Sequence, residues 1–124
     1  EPIAPGGELV VRLYWRGTAT MARDYSVFAH LVPSVGTDVA VAQSDGAPGW
    51  CGDAAPTTTW APGRVVLDRR LLRIPGETSP GEYVVRVGLY DYETLERLSV
   101  RRPGAEPGAD QTTLGPIRVE ADEP

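Results

Sequence analysis

The chain has 124 residues, 41% of them hydrophobic, the size of one globular domain with one sizeable core and too short for two of ordinary size. Twelve prolines and 14 glycines, set beside few runs of helix formers, argue against a helical bundle and for short strands joined by turns. The net charge of −5 arises from 17 acidic residues against 12 basic ones, all arginine and scattered along the sequence, so there is no basic stripe to neutralise phosphates and no nucleic-acid partner is expected.

The opening stretch, EPIAPGGELVV, has no initiator methionine and reads like a cut in a linker, as in a piece of a longer protein. It carries no signal peptide, and no apolar run approaches the roughly 20 residues of a membrane span. The segment ELVVRLYWRG then alternates with period two, placing Leu9, Val11, Leu13 and Trp15 on one face and Val10, Arg12, Tyr14 and Arg16 on the other. DYSVFAHLVP follows as a second strand, with Tyr25, Val27, Ala29 and Leu31 opposite Phe28, His30 and Val32. PSVGTD leads by hairpin chemistry into VAVAQSD, where Gln43 and Asp45 share a face and Asp45-Gly46 permits a sharp exit into a loop stiffened by Pro48. Beyond TTTWAPG, the run RVVLDRRLLRI forms a long strand ended by Pro75-Gly76, and GEYVVRVGLYD turns Tyr83, Val85, Val87 and Leu89 to one side. RLSVRR and LGPIRVE complete the set around the turn-rich PGAEPGAD, and the acidic EADEP reads as a frayed end or linker stub. Turn signals about every ten residues, with no helix to make parallel crossovers, predict an all-β fold, an antiparallel immunoglobulin-like β-sandwich of about seven strands in a single domain over 1–124.

Chemistry-bearing residues are few. One cysteine, Cys51, cannot form an internal disulfide, and His30 sits mid-strand, where hydrogen bonding in or near the core is its bland role; a Cys51–His30 dyad would need the two to meet in space. One Cys and one His cannot build a structural zinc site, and calcium-loop spacing is absent, so no metal and no cofactor is expected. Asp45, Asp53, Asp68, Asp91 and Asp110 all fall in or beside expected loops or strand ends, where Asp45-Gly46 makes a turn and Asp91 caps a strand. Aromatic faces stack on sugar rings while carboxylates accept hydroxyl hydrogen bonds, which makes Trp50, Trp60 and Tyr90, with Asp45 and Asp91, the candidate ligand-binding set. Trp60, between TTT and APG, equally suits a plug at one end of the sandwich, and Trp50, in a Gly/Pro loop, is the one expected to be exposed.

LYWRG, DYSVFAHLV, VAQSDGAP, TTTWAPG, VVLD, GEYVVRVGLYDYET and RLSV, in this order over nearly the whole chain, resemble the C-terminal extramembrane domain of bacterial polytopic glycosyltransferases of the dolichyl-phosphate-mannose mannosyltransferase-like kind. W-x-P-G and G-L-Y-D are the most specific pieces, and the cysteine of GWCG departs from the pattern. The resemblance implies a β-sandwich appended to a membrane-embedded catalytic portion of the parent protein, on the extracytoplasmic face of the bacterial cytoplasmic membrane. The family's catalytic residues would lie in the membrane part, and no binding residue is carried over. The residues and the resemblance together lead to the expectation of a non-catalytic accessory domain that binds carbohydrate or a glycosylation acceptor. The alternative is a structural or protein–protein interaction domain in which the same aromatics and aspartates are core plugs and turn formers. The oligomeric state is not legible in the sequence.

Overall fold

A computed structural model describes residues 2–50, 53–102 and 109–120. Along the chain run β1 (Glu8–Arg16), β2 (Ser26–Pro33), β3 (Ala42–Gln43), β4 (Gly49–Trp50), β5 (Asp53–Ala54), a 3-10 turn (Thr57–Thr59), β6 (Val65–Arg73), β7 (Gly81–Tyr90) and β8 (Thr112–Val119). The fold is all-β: β1 and β6 form an antiparallel ribbon, β3-β2-β7-β8 form an antiparallel four-stranded sheet, and β4 pairs with β5 in a small hairpin. Cys51 and most of PGAEPGAD and EADEP lie outside the described residues.

Period-two patterning decides which faces meet. In the ribbon the register sets Leu9 opposite Leu72, Val11 opposite Arg70, Leu13 opposite Asp68 and Trp15 opposite Val66, all on the inner face. The sheet answers with Val27, Ala29 and Leu31 from β2 and Tyr83, Val85, Val87 and Leu89 from β7, all between 0% and 6% exposed. These side chains, with Leu72, Ile74, Trp60 and Val119, make one core between the two layers. At about 25 cal/mol per Å2 a fully buried Val or Leu contributes roughly 1.5–3 kcal/mol, so this interface is the main source of stability.

Side chains close the ends. Trp60 is 4% exposed, stacks on Trp15 at 6.4 Å between ring centroids and donates its indole N–H to the Ala55 carbonyl at 2.8 Å. The fully buried Thr57 hydroxyl accepts from the Tyr25 amide and donates to the Arg23 carbonyl, tying the 3-10 turn to the β1–β2 connection. Tyr83, near the start of β7, donates its hydroxyl to the Ser79 carbonyl at 2.7 Å.

Two segments depart from the alternation. VAVAQSD keeps only two residues in strand geometry, yet it tracks the edge of β2: Val41 donates to Leu31, Ser44 donates to Ala29, and Val27 and Gly46 exchange both backbone hydrogen bonds. RLSVRR forms no strand. Its donors are used singly, Leu98 to the Leu89 carbonyl and Val100 to the Ala109 carbonyl, because the Asp91 turn ahead of it, with Leu95 at φ 65°, redirects the chain.

The outer face of the four-stranded sheet is not uniformly wet. Phe28 is 2% exposed because it lies over Gly88, its cross-strand partner, beneath the Arg97 guanidinium at 4.5 Å from the ring centroid. A Cβ at position 88 would sit 2.5 Å from the Phe28 ring and 2.9 Å from the Asp110 carbonyl oxygen, so only glycine fits beneath this aromatic. Gly88→Ala is therefore expected to destabilise the domain by about 1–3 kcal/mol through overpacking, measured by urea unfolding. An unchanged unfolding midpoint would contradict the packing described.

Candidate functional site

The stretch from Gln43 to Trp50 places the candidate residues, and β6 fixes it. Asp68 lies in the middle of β6 and is fully buried, so the expectation that it sits beside a loop or strand end is corrected: it faces the core. A buried carboxylate must be saturated with donors to remain charged. Asp68 Oδ1 accepts from Arg70 Nη2 at 2.8 Å, from Arg70 Nε at 3.2 Å and from the Gly49 amide at 3.0 Å, while Oδ2 accepts from Trp15 Nε1 at 3.2 Å. Arg70, 7% exposed, completes the clamp by donating to the Ala47 carbonyl. Gly46 lies beside this guanidinium at φ 151°, a backbone conformation that side-chain-bearing residues rarely adopt. Pro48 is fully buried and its carbonyl accepts from the Ala55 amide. Glycine and proline had marked this loop as a turn; it is a fixed one, held through two residues of a distant strand.

Of the residues expected to bind a ligand, two are committed to structure. Trp60 is a core plug, and its buried ring offers no face for stacking, which corrects its place among the platforms. Asp91 is 6% exposed; its Oδ1 accepts from the Glu93 and Thr94 amides, and its Oδ2 accepts from Arg23 Nη1 at 2.8 Å. That is an aspartate turn at the end of β7, the turn-forming role also expected of Asp91, and it occupies both carboxylate oxygens with partners from the chain. Trp50 is half-buried in β4 and paired with Asp53, away from Tyr90 on a separate sheet.

Asp45 and Tyr90 do come together, and His30 joins them. The exit from β3 swings Asp45 over the outer face of β2, where the His30 imidazole donates from Nε2 to Asp45 Oδ1 at 3.1 Å. Since a carboxylate only accepts, Nε2 carries the hydrogen in this contact. Both side chains stay partly open, 27% and 28% exposed. Burial, and then the nearby Asp45 carboxylate, push the Tyr90 phenol above its ordinary value. His30 and Tyr90 flank Phe28, with ring centroids 5.2 and 6.3 Å from it.

Next to this trio lies a polar cleft of about 290 Å3, lined by His30, Val32, Asp38, Arg86, Arg97, Asp110 and Gln111. Arg86 is directly opposite His30 across β2 and β7, and its Nη1 donates to Asp38 at 2.6 Å. Its Nε is buried and has no hydrogen-bond partner among the described residues. Arg97 donates to Gln111 at 3.3 Å and pairs with Asp110 at 3.7 Å. Reading by residue type had placed His30 in or near the core and had not singled out Arg86 or Arg97. For His30 and Arg86 the signal was present in strand parity, which turns them outward with Phe28. For Arg97, which reaches the cleft through a turn and an irregular segment, no local signal exists. Among the described residues no three His, Cys, Asp or Glu side chains converge as metal ligands would.

No protein-family model, no curated protein and no solved structure matches this chain.

The Asp91 turn makes acid stability a direct readout of its geometry. The Arg23 guanidinium, followed by the Glu93 amide, holds the Asp91 carboxyl below the usual carboxylate range. A depressed folded value contributes stability above the unfolded value, about 3.9 for Asp, and that contribution is lost as pH falls through the folded value. Asp91→Asn should therefore lower the Tm at pH 7, with the gap to the parent closing below about pH 4. A gap of the same size at pH 3 would show that the charge does not matter there.

Proposed function

We propose that this domain is a non-catalytic carbohydrate-binding module, an accessory sandwich of a membrane glycosyltransferase-like protein, and that its ligand lies on the outer face of the four-stranded sheet. The observation that carries this reading is the cleft bordered by His30, Arg86, Arg97 and Asp38, with Asp45 alongside. It mixes donors and acceptors within one small depression, as recognition of vicinal hydroxyls requires. Ligand pockets for drug-sized molecules run from about 300 to 1,000 Å3, so 290 Å3 suits one sugar ring and not an extended chain. The binding chemistry thus moves from the tryptophans to Asp45, Tyr90, His30, Arg86 and Arg97.

Three features support the immunoglobulin-like form of the sandwich. The ribbon β1-β6 opposes β3-β2-β7-β8 in the arrangement of the B–E pair against the C′-C-F-G sheet. Tyr83 hydrogen-bonds back to Ser79 in the manner of a tyrosine corner, and Ile3 forms a parallel bridge with Val119 of the last strand. Domains of this kind commonly serve as appended modules, and attachment to a membrane-embedded portion on the extracytoplasmic side rests on the sequence resemblance alone. The protein-interaction reading is favoured by one observation, the commitment of Trp60 and Asp91 to packing and turn formation.

The test is an NMR titration of the domain with a panel of mono- and oligosaccharides, following the His30 ring and the Arg86 and Arg97 side chains. The expected result is saturable shifts at these three residues with millimolar affinity, lost in Arg86→Gln and His30→Ala while the Tm stays within a few degrees. No sugar-dependent shift at any of them, or shifts that survive both substitutions, would leave protein interaction as the better account.

A further inference from the structure

The opposite side of the sandwich has a different character. Inward residues of β1 and β6 form the core, so the outer face of the ribbon consists of the cross-strand pairs Val10–Leu71, Arg12–Arg69, Tyr14–Leu67 and Arg16–Val65. Arginines far apart in the sequence are gathered here by the register, which overturns the impression of a scattered distribution. Arg12, Arg16 and Arg69 are exposed, and none has an ion-pair partner among the described residues. Glu8, the single acid on the face among the described residues, is 3.7 Å from Arg73. Arg12 stands directly opposite Arg69, a like-charge placement that opposes strand pairing unless an anion lies between the two guanidinium groups. Between the arginines sit Tyr14, Val65 and Leu67, exposed by 65%, 52% and 43%.

We infer that this ribbon face docks on an anionic lipid surface. The chain as a whole carries −5, so a concentration of uncompensated positive charge on one face makes approach to a negative surface favourable in one orientation only. Nine residues of extended strand give the ribbon a length of about 30 Å, long enough for the three arginines to reach separate headgroups. Laterally mobile lipids can meet arginines at any spacing, as a flat ribbon requires. Tyr14, Val65 and Leu67 then enter the interfacial layer, where a tyrosine ring and aliphatic side chains are stabilised and where Arg stems reach back to phosphate. A nucleic-acid duplex would engage the same charges but would strand these three apolar groups against phosphates, and three arginines fall short of the 6–10 phosphate contacts of a typical site. Docking does not depend on the carbohydrate reading, since the two faces lie on opposite layers.

Co-sedimentation of the whole chain with vesicles tests it: phosphatidylcholine alone, and phosphatidylcholine with about one third phosphatidylglycerol, at low and high salt. Binding is expected only to the anionic vesicles at low ionic strength, with most of it lost at about 0.5 M salt. Each basic residue near such a surface changes partitioning by about fivefold, so Arg12→Gln/Arg16→Gln/Arg69→Gln should weaken it roughly a hundredfold. The triple variant removes the Arg12–Arg69 opposition and should melt no lower than the parent, while Arg101→Gln/Arg102→Gln, off the ribbon, should bind as the parent does. Failure to bind anionic vesicles, binding unchanged in the triple variant, or tighter binding to a duplex oligonucleotide than to the vesicles would each overturn the inference.

Discussion

A carboxylate and a guanidinium buried together in the centre of β6 govern the arrangement of everything on the loop side of this sandwich. Asp68 is fully buried and Arg70 nearly so, on a face where the neighbouring Leu72 is core. Desolvating two charges costs several kcal/mol each, and their attraction offsets that only when the remaining hydrogen-bonding capacity is filled. It is filled here from outside the pair: by the Trp15 indole of the partner strand, the Gly49 amide and the Ala47 carbonyl. Apolar residues of the same volume would stabilise the interface about as well. What they would not do is dictate where the chain runs between Asp45 and Trp50.

That path has a consequence on the far side of the sheet. With residues 46–49 held against β6, the preceding residues are drawn along the edge of β2, and Asp45 is delivered over His30 and beside Tyr90. The core pair and the candidate ligand face are thus linked by five residues of backbone. The ribbon lies on the other layer and takes no part in this. One small domain therefore presents a polar, donor-rich cleft on one surface and an arginine and tyrosine face on the other, each set by strand parity around a shared core.

Strand parity is also what made the fold legible. Leu9, Val11 and Leu13, then Val27, Ala29 and Leu31, then Tyr83 through Leu89 alternate without interruption, and each run is half of an interface. The reading faltered where tertiary partners override type. Asp68 and Arg70 look like solvent-facing charges, and only the non-local donors Trp15 and Gly49 make their burial tolerable. Trp60 and Asp91 each carried a binding and a structural reading that residue type could not separate, and the Ala55 carbonyl and Arg23 engage them structurally. Arginine clustering on the ribbon could not be seen by reading along the chain, since Arg12 and Arg69 become neighbours only through the β1–β6 register.

The most direct test of the account is amide hydrogen exchange at Gly49 and Gly46 in Asp68→Leu/Arg70→Met, a variant that replaces the buried pair with apolar side chains of similar size. Global stability should change little, because the lost ion pair is offset by lower desolvation, while the Gly49 and Gly46 amides should lose protection and the His30 ring should lose its contact with Asp45. Amides that remain as protected as in the parent, with the His30–Asp45 contact intact, would show that the loop is held by something other than this pair.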